Sequence, residues 1–229
     1  MLHDQGKLNT LVTFLLDRTG SMQSIKADTI GGFNAYVDTL EREAGDLVEF
    51  TMLQFDSQSI DTLHAGARLV NVPRLTDETY QPRASTPLID ACVEAIKGTE
   101  ELVARRKDPS RVVIVFLTDG EENASRRHQL ADLVDLIRRR TDEGWQFVFL
   151  GANIDAYKTA RAFGIADEAT VAYDARRSGV LMEEAGVLTA DVAMGCREEL
   201  YFPKELKRAV GDRFDPDATV AAIESDDGK

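Results

Sequence analysis

Three short stretches of this chain are apolar at consecutive positions rather than at alternate ones. They are Leu11–Leu16 (LVTFLL, interrupted only by Thr13), Val112–Leu117 (VVIVFL) and Phe147–Leu150 (FVFL). A strand with one face in water alternates apolar with polar residues, whereas a run apolar on both faces needs cover on both. Runs this short, rich in Val, Ile and Phe, predict central strands of a mostly parallel sheet with helices above and below. A fourth candidate, Val48–Phe55 (VEFTMLQF), alternates more and is expected nearer an edge. Ser59–His64 is placed to pair with it as a hairpin across the turn Asp56-Ser57-Gln58.

Helical periodicity fills the gaps between these runs. Ile25, Thr29, Phe33, Val37 and Leu40 recur every three or four residues. So do Leu88, Cys92, Ala95, Ile96, Leu102 and Val103, and again Leu130, Leu133, Val134 and Ile137. Ile154–Phe163 predicts a shorter helix stopped by Gly164, Ala169–Tyr173 a last strand and Arg176–Arg197 a last helix. Alternation of strands and helices in this order predicts an α/β layered sheet.

Length and charge narrow the function classes. The chain has 229 residues, enough for one domain with a sizeable core. We expect that domain over 1–198, with 199–229 as a C-terminal extension interrupted by Pro203 and Pro216 and about eight disordered residues at its end. Lys plus Arg is 27 and Asp plus Glu is 40, a net charge of −13. Such a balance argues against nucleic acid and against anionic lipid as partners, since both require a basic face. Two cysteines, Cys92 and Cys196, exclude a disulfide scaffold and a Cys-rich zinc site. Met1 to Thr10 is polar, without the apolar core of a signal peptide, and no run is long enough to span a bilayer. The expected location is cytoplasmic.

In open parallel sheets, ligands bind beyond the carboxyl ends of the strands. After the first run comes Asp17-Arg18-Thr19-Gly20-Ser21, and after the second Thr118-Asp119-Gly120-Glu121-Glu122. Between them Ala84-Ser85-Thr86-Pro87-Leu88 opens a helix, with Thr86 placed as its N-cap before a proline at the first helical position. Asp17, Thr19 and Ser21 alternate along a turn, so their oxygens can point to one side, and Asp119 can face them from the neighbouring strand. Two carboxylates and three hydroxyls make an all-oxygen donor set suited to Mg²⁺ or Mn²⁺ rather than to zinc or copper. Asp56 is an ordinary turn residue or a neighbour of this set, and Glu121 and Glu122 read as solvated rim charges. His3, His64 and His128 show no ligand spacing, and Cys92 lies on an apolar helix stripe.

Three motifs in this order carry a resemblance. Asp17-Arg18-Thr19-Gly20-Ser21-Met22 resembles the D-x-S-x-S motif of von Willebrand factor A (vWA) domains, Ser85-Thr86-Pro87-Leu88 their T-P-L segment, and Leu117-Thr118-Asp119-Gly120 their L-T-D-G strand end. The resemblance covers residues 8 to 197. It implies a three-layer, doubly wound, Rossmann-like fold with a six-stranded sheet and one antiparallel edge strand, and a metal-ion-dependent adhesion site. By that resemblance Asp17, Thr19, Ser21, Thr86 and Asp119 would hold Mg²⁺ or Mn²⁺ directly or through water. The sequence departs from the family at Thr19, where Ser is usual; the hydroxyl is kept.

The expected function is a non-enzymatic, divalent-cation-dependent protein-binding module of bacterial cytoplasmic type. Its partner would supply an Asp or Glu to the metal. Family members of this kind serve with AAA+ ATPases, kinases or phosphatases in stress or conflict assemblies. Two alternatives stand beside it. Asp17-Arg18-Thr19-Gly20-Ser21 also resembles the D-K-T-G-T motif of phosphoaspartyl enzymes, although Thr19 stands where their soluble members carry a second Asp. The fold could also serve as a metal-free scaffold.

Overall fold

The computed structural model describes residues 10–107 and 110–212. Six strands form one sheet: β1 (Thr10–Asp17), β2 (Val48–Phe55), β3 (Ile60–Arg68), β4 (Arg111–Thr118), β5 (Gln146–Ala152) and β6 (Thr170–Tyr173). Their spatial order is β3-β2-β1-β4-β5-β6, and every pairing is parallel except β2 with β3. The helices are α1 (Lys26–Ala44), α2 (Leu88–Ala104), α3 (Leu130–Asp142), α4 (Ala156–Phe163), α5 (Ser178–Met194) and α6 (Lys204–Ala209). This is the three-layer, mostly parallel arrangement with one antiparallel edge that the apolar runs and the motif resemblance predict. Among the described residues no helix is long and apolar enough to cross a membrane.

Successive residues of β1 divide between two cores. Val12, Phe14 and Leu16 join Phe33, Tyr36 and Leu181 of α1 and α5, while Leu11 and Leu15 join Cys92, Ile96 and Leu133 of α2 and α3. Phe14 sits 5.3 Å from the rings of both Phe33 and Tyr36 and 6.4 Å from that of Phe50. Burial of such rings accounts for much of the apolar transfer energy of this layer. The one polar residue of the first run is satisfied inside: Thr13 Oγ1 lies 2.7 Å from Thr99 Oγ1, which in turn donates to the Ala95 carbonyl. A buried hydroxyl without such a partner would cost about 1–3 kcal/mol.

The helices against the sheet owe their approach to small residues. A Cβ on Gly186 of α5 would lie 3.0 Å from the Tyr36 carbonyl and 3.0 Å from Thr39 Cβ of α1, so glycine lets the two helices meet backbone to backbone. Gly164 ends α4 at φ 85°, a left-handed conformation that glycine adopts without a Cβ penalty. β3 follows β2 across the turn Asp56–Ser59 and runs to Arg68, four residues beyond the predicted His64, because register shifts near Met52 let it continue pairing. The segment after residue 199 is described to residue 212. There Leu200, Phe202 and Val210 are buried, and the Asp174 N–H donates to the Val210 carbonyl at 3.0 Å. The expectation of disorder at the extreme end falls outside the described residues.

Candidate metal centre

The five residues singled out in the sequence meet at the carboxyl ends of β1 and β4. Asp17 is the last residue of β1 and is fully buried. The Thr19 N–H donates to its Oδ1 at 2.6 Å and the Thr118 hydroxyl to its Oδ2 at 2.5 Å. Thr19 Oγ1 lies 3.3 Å from Ser21 Oγ, and Ser21 donates to Asp119 Oδ1 at 2.5 Å. Thr86 is reached through Gly120: a Cβ there would lie 3.2 Å from Thr86 Oγ1 and 3.6 Å from Ser21 Oγ. The absence of a side chain at 120 thus leaves a cradle between these two hydroxyls.

Electrostatics in the cradle favour a cation. Burial pushes the Asp17 carboxyl up to about 6 against the hydrogen bonds from Thr118 and Thr19, and the Asp119 charge adds to the rise. Burial also raises Asp119, opposed by the Ser21 hydroxyl. Asp17 is held by hydroxyl and amide donors rather than by an arginine or lysine. Two carboxylates crowded in this way gain most from a positive charge between them. No group of three or more His, Cys, Asp or Glu side chains able to hold a metal occurs among the described residues. The donor set is instead two carboxylates and three hydroxyls, and hard cations that keep several waters suit it. The residues fit such an ion.

Several residues that the sequence reading did not single out position this set. Tyr80, fully buried, donates its hydroxyl to the Asp17 carbonyl at 2.6 Å. Asn123 accepts from the Thr86 N–H at 2.9 Å and donates its own N–H to the Thr86 carbonyl at 3.0 Å. Thr86 is not the N-cap of α2. Pro87 occupies the cap position with ψ 62°, and no side chain of its own segment caps the helix. The cap comes across space: Glu122 Oε2 accepts from the Ile89 N–H at 2.8 Å and Ser125 Oγ from the Asp90 N–H at 3.0 Å. Glu122, expected as a solvated rim charge, is therefore engaged in capping, whereas Glu121 is exposed. Asp90 completes the junction by accepting the N–H groups of Arg126, Arg127 and His128.

Asp56 ties the other two loops together. It is buried, and its Oδ2 accepts from Arg18 Nε at 3.0 Å and from Arg83 Nε at 2.8 Å. The same loops are joined through their backbones, with Arg83 N–H on the Arg18 carbonyl at 2.9 Å and Gly20 N–H on the Ala84 carbonyl at 3.0 Å. Ala84 holds this register at φ 60°, a left-handed backbone that costs a non-glycine residue about 1 kcal/mol or more. Asp17, Thr19 and Ser21 are thereby held against the segment bearing Thr86.

No family model matches the sequence, and no curated protein matches it. Solved structures match in fold. The von Willebrand factor type A protein of Catenulispora acidiphila aligns with TM-score 0.56 at 14% identity, over 82% of this chain and 43% of that one. The vWF domain of the type V pilus tip protein Mfa5 from Porphyromonas gingivalis gives 0.60 at 9% identity, over 82% of this chain and 97% of that one. The manganese-loaded TRAP protein of Plasmodium vivax gives 0.56 at 14%, over 78% and 73%. Against other matched proteins the chain spans 46% and 30% of their length. At these identities the likeness concerns the fold alone, and the fold of this chain is that of a vWA-like domain.

Proposed function

We propose that the chain is a divalent-cation-dependent protein-interaction module. The observation that carries this reading is the Gly120 cradle, where Ser21 and Thr86 hydroxyls flank a space, with Ser21 bonded to Asp119, whose charge is felt by the buried Asp17. Asp17, Thr19, Ser21, Thr86 and Asp119 would hold Mg²⁺ or Mn²⁺. When bound, the ion supplies a positive centre with a position left for a carboxylate from outside. The chain's own residues provide the rest. Thr118 and the Thr19 amide orient Asp17, Ser21 orients Asp119, and Asn123 fixes the Thr86 backbone. Both Asp17 oxygens are engaged and the side chain is buried, which suits a fixed ligand better than an attacking nucleophile. The matched manganese-loaded TRAP structure agrees with a hard cation on this fold.

The partner in this reading is a protein presenting Asp or Glu, such as a component of an assembly with an AAA+ ATPase, kinase or phosphatase. Affinity capture from native lysate tests it, with Mg²⁺ or EDTA and with Asp17→Ala as control. Partner recovery by wild type in Mg²⁺ alone is expected. Equal recovery in every condition contradicts the metal-dependent part.

A further inference from the structure

A groove of about 1030 Å³ runs along the side of α2, and Ser85, Pro87 and Asn123, neighbours of Thr86 in sequence or by hydrogen bond, line it. Leu53 and Thr62 of β2 and β3 line one side, and Gly98 of α2 and Arg105, just past its end, line the other. The groove exists because β3 is the sheet edge and α2 covers the inner strands. Gly98 keeps it open. A Cβ there meets nothing within 4 Å, so no close packing offsets the roughly 1 kcal/mol that a mid-helix glycine costs relative to alanine.

The charges along the groove are unevenly answered. Asp56 is paired with Arg18 and Arg83, and Asp90 accepts three backbone N–H groups. Glu94 meets Arg127 at 3.1 Å and Glu101 meets Arg105 at 3.3 Å. Lys97 and Arg126 also line the groove, and neither has an ion-pair partner among the described residues. The lining carries four acidic and four basic side chains, and the two that lack an ion-pair partner among the described residues, Lys97 and Arg126, are both cations. Two cations without ion-pair partners on one groove are available to the carboxylates of an acidic segment.

The geometry points to an extended acidic peptide segment of a partner protein as the occupant of this groove. The inference rests on the reading of the chain as an interaction module and adds where the partner lies. From Asp90 to Ala104 the helix rises about 21 Å at 1.5 Å per residue, which an extended segment of about six or seven residues spans. Such a segment lies between α2 and the face of β2 and β3 that carries Thr51, Leu53, Ile60 and Thr62.

The test uses the full chain and a phage-displayed library of random twelve-residue peptides, selected in Mg²⁺. Selected peptides are expected to carry an excess of Asp and Glu. Their binding is expected to fall at least tenfold on Gly98→Trp, which fills the groove, and on the double change Lys97→Glu with Arg126→Glu. Unaltered thermal unfolding of Gly98→Trp confirms that the fold is kept, and the charge-reversed variant gives a second readout that does not depend on it. No enrichment, peptides without acidic excess, or binding to either variant as tight as to wild type would overturn the inference. Repeating the binding in EDTA and with Asp17→Ala separates the two readings. Peptides that survive EDTA but fail on Gly98→Trp keep the groove and remove the metal requirement. Peptides that fail on Asp17→Ala but bind Gly98→Trp normally overturn the groove and leave the metal reading intact.

Discussion

Gly120→Ala places one methyl group in the cradle, and its effects on fold and on metal should have opposite character. The backbone at 120 lies outside the left-handed region, so alanine is admissible there. Restricting the unfolded chain by this change contributes about 0.4–1 kcal/mol to stability. Against that, the new Cβ stands 3.2 Å from Thr86 Oγ1 and 3.6 Å from Ser21 Oγ, so Thr86 must retreat by a few tenths of an ångström. The metal-free stability of the variant should therefore stay within about 1 kcal/mol of wild type. Mg²⁺ tolerates such a displacement badly, because its oxygen ligands sit at about 2.0–2.1 Å in near-ideal octahedral geometry. A tenfold loss of affinity is expected. With Mg²⁺ at about 100 times the wild-type Kd, binding stabilises wild type by about 2.7 kcal/mol and the variant by about 1.4 kcal/mol. At about 2–4 °C per kcal/mol for a domain of this size, the metal-induced shift in Tm is about 5–11 °C for wild type and about 3–6 °C for the variant. Thermal unfolding in EDTA and in Mg²⁺ measures both quantities. Equal metal-induced shifts in the two proteins would refute the cradle as the metal position.

Three further outcomes follow from the same geometry. Asp56→Asn leaves Arg18 and Arg83 facing each other without their shared carboxylate and should destabilise the fold by about 3 kcal/mol in denaturant unfolding, with weaker Mg²⁺ binding as the loops separate. Asp90→Asn should cost about 1–3 kcal/mol at pH 7. Burial works to raise the Asp90 carboxyl, but the N–H groups of Arg126, Arg127 and His128 and the charge of Arg127 outweigh it and hold it below its ordinary 3.8. Its contribution is therefore complete above pH 3.8 and fades as pH falls through the depressed value, so the deficit of the variant should shrink in acid, and a deficit that grew in acid would contradict this. Gly186→Ala pushes a methyl onto the Tyr36 carbonyl and should lower stability by about 1–3 kcal/mol without changing Mg²⁺ affinity.

The strands were legible because their constraint is local in sequence. A run such as VVIVFL can only be covered on both faces, and β4 is buried from Val112 to Thr118. Thr13, the one polar interruption of the first run, conforms because Thr99 comes to it from a helix 86 positions away, which no periodicity announces. The ends of elements were read less well for the same reason. Thr86 before a proline has the chemistry of an N-cap, yet α2 is capped from the loop after β4 by Glu122 and Ser125. An acidic residue beside Asp119 looks solvated until the fold brings the start of a helix against it. The candidate site shows both sides of this division. Asp17, Thr19, Ser21, Thr86 and Asp119 stand in short motifs and are brought together. Tyr80, Asn123 and, from the first turn of α2, Asp90 act through contacts with segments distant in sequence. Asp90 and Asn123 lie two and three residues beyond a motif, but neither belongs to one, and Tyr80 lies farther off.

Calorimetric titration of metal-stripped protein with Mg²⁺ and with Mn²⁺, beside Asp17→Ala and Thr86→Ala, decides whether these residues hold a cation. One binding site in wild type is expected, weakened at least tenfold by each substitution. No binding by wild type, or binding that neither substitution weakens, would contradict that role.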